Sequence, residues 1–247
     1  MSGHSKWAGI KNKKALIDAK RGKLFSRLTK DITVAAKHGG GNPDANPTLR
    51  SVLLKAKESN MPHDNIERAI KRGTGELPGV VYEEVVYEGY APGGVAVMVD
   101  VTTDNKNRTS AEIRNMFSKR GGNLAGTGSV NWLFHKKGFI LVDKKVMDED
   151  RLMSIVLESG AEDLKTEGDT YEVITDPKDF EKIKAKLQEN NIPYQAAEIT
   201  MLPQTTVKID KGLAKQVLGL VEALEELDDV QNVYANFDIP DEVLAEA

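Results

Sequence analysis

KKGFILVDKKVMDEDRLMSIVLESGAEDLKTEGDTYEVITDPKDFEKIKAKLQENNIPYQAAEITM, residues 136–201, is the stretch that decides the fold. Phe139–Val142 reads as a strand and Asp148–Ser159 as a helix. Asp163–Thr166 and Thr170–Thr175 read as a hairpin about Glu167-Gly168-Asp169. Phe180–Glu189 is a second helix, with Pro177 early in it, and Tyr194–Met201 a last strand. The order is β-α-β-β-α-β, a ferredoxin-like split βαβ arrangement.

The flanking sequence repeats that order. Strand 95–103, helix 106–119, strand 129–134, a strand near 204–209, helix 211–227 and strand 230–235 make a second such unit. Val80–Glu88 adds a strand joined to Val95–Thr103 through Pro92-Gly-Gly94, and Asp104 or Asn105 caps the following helix. Unit 136–201 is therefore expected to be inserted into the middle hairpin of a like domain, where the two chain ends already lie close. The expected fold class is α+β, with an N-terminal helical domain followed by two ferredoxin-like α/β domains, one inserted into the other. The expected boundaries are 1–79, then 80–135 plus 202–247, with 136–201 as the insert.

Residues 1–79 read as helices. Residues 22–38 form one amphipathic helix. At about 100° per residue, Lys20, Lys23, Arg27, Lys30 and Lys37 share one arc, and Leu24, Phe25, Leu28, Ile32, Ala35 and Ala36 fall in a neighbouring arc. Gly39-Gly-Gly41 ends this helix. Asn46 caps the next, with Pro47 at its first position and Leu49, Val52, Leu53 and Ala56 on its apolar side. Asn60-Met61-Pro62 breaks it, and a third helix runs from about His63 to Arg72. Helix, turn, helix matches the DNA-reading motif, with Asn65, Arg68, Lys71 and Arg72 on the exposed side, but any helical hairpin gives the same pattern. Loop 39–46 has no Gly-Lys-Ser/Thr after it and is not a nucleotide P-loop. It reads either as a connection or as an element that orders on nucleic acid.

Charge separates the two parts. The chain of 247 residues is formally −4, yet residues 1–79 hold 16 Lys+Arg against 7 Asp+Glu, and the remainder 18 against 31. The basic part points to a polyanion. A row of cations at helical spacing suits the phosphates of a nucleic acid, because each contact releases condensed counterions. Such contacts carry no sequence information. The candidate contact residues are Lys6, Lys11, Lys13, Lys14, Lys20, Arg21, Lys23, Arg27, Lys30, Lys37, Arg68 and Arg72. Three roles are open to the acidic part: repelling phosphate from the wrong face, meeting a basic protein partner, or closing over the molecule's own basic domain.

Several blocks carry a resemblance: Met1-Ser-Gly-His-Ser-Lys-Trp7, Lys20-Arg-Gly-Lys23, residues 39–47 (GGGNPDANP) and Asn60-Met-Pro62. It continues through residues 87–94 (YEGYAPGG), residues 103–109 (TDNKNRT), Gly121-Gly-Asn123 and Gly126-Thr-Gly-Ser129. Together these resemble the YebC/PmpR family over essentially the full length. The resemblance implies a cytosolic, non-enzymatic gene-expression factor. Bacterial members are described as transcriptional regulators that bind DNA, others as translation factors acting at the ribosome. It also implies a three-domain α/β protein with a helical N-terminal domain.

Catalytic signatures are missing from the sequence. His4, His38, His63 and His135 lie far apart, no cysteine is present, and no Gly-x-Ser-x-Gly or Gly-x-Gly-x-x-Gly occurs. No enzyme, cofactor, metal or small-molecule substrate is expected. No run approaches a membrane span and the N-terminus lacks an apolar signal core, so a cytoplasmic protein is expected. Arg108, in the first turn of a helix, opposes the helix dipole and is expected to pair with an acid from the tail. Trp132 is expected in the core, and Trp7 to anchor the first helix. The expected function is a DNA-binding transcriptional regulator. An RNA- or ribosome-binding translation factor and a protein scaffold are the alternatives.

Overall fold

The computed structural model describes residues 21–239. Three helices come first: α1 (Arg21–Gly39), α2 (Pro47–Glu58) and α3 (His63–Gly73). Asn46 caps α2, its Oδ1 accepting from the Leu49 N–H, and Pro47 opens the helix where its missing N–H costs nothing. Leu28, Ile32, Ala35 and Ala36 of α1, Leu49 and Ala56 of α2, and Met61, Ile66 and Ala69 make one apolar cluster. Leu24, expected on the apolar side, is 42% exposed; it sits in the first turns of α1, away from this cluster. The loop after α1 is pinned: the Asn46 carboxamide donates to the carbonyls of Ala35 (2.8 Å) and Gly40 (2.9 Å). Arg50 donates to those of Pro43 and Asp44. It is therefore more than a simple connection.

The chain then enters a sheet of order β3-β1-β2-β9, built from β1 (Glu83–Ala91), β2 (Val95–Thr103), β3 (Asn123–Leu124) and β9 (Val230–Ala235). Helices α4 (Lys106–Lys119) and α7 (Lys211–Glu225) cover one face. Alternation along β2 sends Val95, Val97, Val99 and Val101 towards them, against Phe117, Leu220 and Val221. Each such side chain contributes about 1.5–3 kcal/mol when fully buried. β2, α4 and β3 form a split βαβ with β1 between the two strands. The spatial order is ferredoxin-like, but β1, the strand added ahead of the repeat, fills the place expected for a later one. Residues 129–134 are not a strand of this sheet: a 3-10 turn spans Asn131–Leu133, and Phe134 begins the insert. Near 204–209 only β8 (Val207–Lys208) forms, pairing in parallel with β10 (Phe237–Asp238).

The insert contains β4 (Phe134–Asp143), α5 (Glu149–Glu158), β5 (Ala161–Glu167), β6 (Thr170–Thr175), α6 (Phe180–Glu189) and β7 (Ala196–Pro203). Its sheet order is β5-β6-β4-β7, every pair antiparallel. Entry and exit strands are neighbours, with Phe134 opposite Pro203, so the insertion leaves no gap in the outer domain. Pro177 lies in the turn before α6 rather than within it. Gly138 is required on β4: a Cβ there would lie 2.3 Å from Thr175 Oγ1 and 2.7 Å from the Phe180 ring. The molecule is thus α+β, a helical N-terminal domain followed by two ferredoxin-like domains, one inserted into the other.

Candidate nucleic-acid interface

Of the candidate cations, Lys6, Lys11, Lys13, Lys14 and Lys20 lie outside the described residues, as does Trp7. Arg21 is the first residue of α1. Lys37, Arg68 and Arg72 are exposed, as are Arg50, Lys55 and Lys57. Arg68 is turned back on its own helix, donating to the Asp64 carbonyl (3.1 Å) and Asn65 Oδ1 (3.2 Å). A guanidinium so engaged is poorly set for reading a base edge. α2 and α3 both pack on α1 through the shared apolar cluster, a three-helix bundle rather than an isolated reading pair.

Lys23, Arg27 and Lys30 are brought together, but each is partly covered rather than open to solvent. They meet the end of α7. Lys23 Nζ donates to the Glu226 carbonyl and Arg27 Nη2 to the Glu225 carbonyl. Lys30 Nζ donates to the Asp228 carbonyl (2.8 Å) and Asp229 Oδ1 (2.7 Å). The last carbonyls of a helix lack intrahelical partners and carry the negative end of its dipole. Burial lowers the pKa of both Lys23 and Arg27, with the nearby acids acting against it.

Asp229 is the centre of this contact. Its Oδ2 accepts from Arg108 (2.6 Å), Thr109 (2.7 Å) and Thr103 (2.9 Å). Burial would raise this carboxyl, but the bonds from Lys30, Arg108, Thr109 and Thr103 outweigh it and hold it well below the usual carboxylate range. Arg108 thus pairs with an acid near the end of the chain, and also with Asp104 at 2.7 Å. Beside the contact a polar cleft of about 530 Å³ opens among Tyr82, Arg108, Glu112 and Asp228. Asp31, half-buried on α1, has its pKa pushed up to about 6 by burial, with Lys55 opposing and Glu84 reinforcing the shift. Among the described residues no group of His, Cys, Asp and Glu is placed to hold a metal ion, and no helix is long and apolar enough to cross a membrane.

A second surface escaped the sequence reading. Trp132, expected in the core, is 65% exposed. Its neighbours Val130, Leu133 and Phe134 fill the apolar cluster against Met98 and Tyr234 instead. Trp132 Nε1 and the Tyr90 hydroxyl both donate to the Ser129 carbonyl, at 3.1 and 3.2 Å. Buried Glu88 shapes the loop, accepting from the backbone N–H groups of Gly128 (2.6 Å), Val130 (2.7 Å) and Asn131 (2.8 Å). An acid inside the apolar run of β1 was the available signal.

Comparison with known proteins follows the same division. The family description "TACO1/YebC protein N-terminal domain" matches residues 5–76, and "TACO1/YebC second and third domain" matches residues 82–237. A protein of Dictyoglomus turgidum named "Probable transcriptional regulatory protein" is 59% identical, covering 99% of this chain and 98% of that one. One of the same name from Syntrophus aciditrophicus is 58% identical over the same shares. The crystal structure of a conserved hypothetical protein from Aquifex aeolicus superposes with a TM-score of 0.80 at 51% identity, covering 93% of this chain and 95% of that one.

Proposed function

Because the chain belongs to the TACO1/YebC family, we propose that it is a non-enzymatic, nucleic-acid-binding regulator of gene expression. The N-terminal bundle is the contact, and DNA with a transcriptional output is the first target. The observation that carries the reading is the opposition of charge. Residues 1–79 hold 16 basic and 7 acidic residues within a chain of net −4, and the exposed cations of α1 to α3 belong to that excess. The names of these relatives support a regulatory role.

The mode of contact is to phosphate. Arg68 is folded back, so sequence reading by α3 has no support, and cations that grip phosphates serve a DNA or an RNA duplex alike. RNA or the ribosome, with a translational output, is therefore the second reading. The test is retention of the full chain on duplex DNA, structured RNA and ribosomes, in competition at one ionic strength. Charge reversal of Lys37, Lys55, Lys57 and Arg72, with folding verified by circular dichroism, should lower retention on the true partner and flatten its salt dependence. Undiminished retention on all three overturns the proposal.

A further inference from the structure

We propose that the carbonyl end of α7 occupies the Lys23–Arg27–Lys30 row as a built-in substitute for phosphate, so that nucleic acid gains the row only when the N-terminal bundle swings away. The inference rests on the nucleic-acid reading and adds its regulation.

Three observations carry it. First, each cation of the row is engaged by residues 225–229, through the carbonyls of Glu225, Glu226 and Asp228 and the Asp229 carboxylate. The carbonyls of Glu225 and Glu226 lie at the negative end of the helix dipole, and the turn after it adds the Asp228 carbonyl and the full charge of Asp229. Second, the fit is incomplete. Arg27 uses Nη2 on a single carbonyl, and its buried Nε has no hydrogen-bond partner. A phosphate offers two oxygens to the same edge of a guanidinium, Nε and Nη2 together. The polyanion thus satisfies a donor that the helix end leaves empty.

Third, the seam is built to part. The apolar cluster of the bundle draws on residues 25–70 alone, and those of the outer domain and insert on residues beyond it, so none of the described clusters spans the seam. The hydrogen bonds above cross it, and so does the Lys184–Glu58 ion pair at 3.4 Å. The more exposed of these weaken with salt, whereas the largely buried Lys30–Asp229 pair has to be exchanged directly for another anion. Residues 74–81, between α3 and β1, are exposed and without helix or strand. They are long enough to act as the hinge. The observed closed form then taxes affinity: the apparent dissociation constant is the intrinsic one divided by the open fraction.

The chain has no cysteine, so spin labels can be placed at will. Two exposed pairs straddle the seam: Ser51→Cys with Lys215→Cys, and Glu67→Cys with Gln216→Cys. Electron–electron distance measurements on the free full chain should give one narrow population for each pair. Addition of a DNA duplex, an RNA hairpin or ribosomes, whichever retains the protein, should move both pairs to longer distances in proportion to the fraction bound. Retention with both distances unchanged overturns the closure and leaves the proposed function standing. Absence of retention on all three overturns both.

Discussion

Lys30 and Asp229 are 199 residues apart in sequence and joined by a 2.7 Å ion pair, with both side chains largely buried. The pair ties the N-terminal bundle to the turn between α7 and β9. Arg108, Thr103 and Thr109 share the same carboxylate, which places α4 and the end of β2 in one network.

Asp229→Asn should therefore be costly. Removing one partner of a buried charge pair typically destabilises by about 3–5 kcal/mol, because the other charge is left uncompensated. About 3 kcal/mol is expected here, since Arg108 keeps Asp104. The carboxyl is held below its ordinary value of 3.8. Its contribution is thus complete above about pH 4 and lost as pH falls through the lower, folded-state value. Urea unfolding of the wild type and variant should differ most at neutral pH, and the gap should narrow in acid. A gap independent of pH would show that the carboxylate charge is not the source.

Asp31 gives the opposite sign. Its folded-state pKa is raised from 3.8 to about 6, first by burial, then by the balance of Lys55 against Glu84. The unfolded chain loses this proton first, so stability falls as pH rises from about 4 to about 6 and stays lowered above that. Asp31→Asn should match the wild type near pH 4 and be more stable near neutrality. The gain is at most about 3 kcal/mol, at about 1.4 kcal/mol for each pH unit between the two values. Denaturant midpoints at the two pH values decide it.

Much of this architecture was legible because local signals agreed. Asn105 before an apolar-periodic segment gave α4 its observed limits, and the β-branched run from Val95 gave β2. The insert followed from element order alone. What was not legible depends on distant partners. The row on α1 has the spacing of a phosphate-reading surface, and nothing local says that residues 225–229 will cover it; the opposed charges left closure over the basic domain as one of three open roles and named no partner. Trp132 failed for a related reason. An apolar residue in sequence does not say which of its neighbours will take the core, and here Val130, Leu133 and Phe134 do. The loop that exposes Trp132 is held by Glu88, 40 residues from Gly128.

That loop yields a third prediction. Glu88→Gln leaves a single carboxamide oxygen for three N–H groups now served by two carboxylate oxygens. The loss is about 2 kcal/mol, in the range for charge-assisted bonds. Trp132 should loosen from the Ser129 carbonyl. In a Trp7→Phe background, which leaves Trp132 as the sole tryptophan, its fluorescence anisotropy should fall and its quenching by acrylamide rise. Unchanged anisotropy would mean that Glu88 does not position the indole.

Two glycines in the bundle should respond with opposite signs to the same substitution. A Cβ on Gly73 would lie 2.4 Å from the Thr33 carbonyl oxygen and 2.7 Å from the Ala36 Cβ, whereas one on Gly22 meets nothing within 4 Å. Both sit in helices, where alanine is intrinsically favoured by about 1 kcal/mol. At Gly22 that preference is unopposed, and Gly22→Ala should raise stability by up to about that amount. At Gly73 the obstacle is backbone, which cannot rotate out of the way as a side chain would. α3 must lift off α1, at a cost of about 1–3 kcal/mol that exceeds the gain in propensity. Thermal unfolding of the two variants should shift in opposite directions, and a Gly73→Ala protein as stable as the wild type would mean that α1 and α3 are not packed this closely.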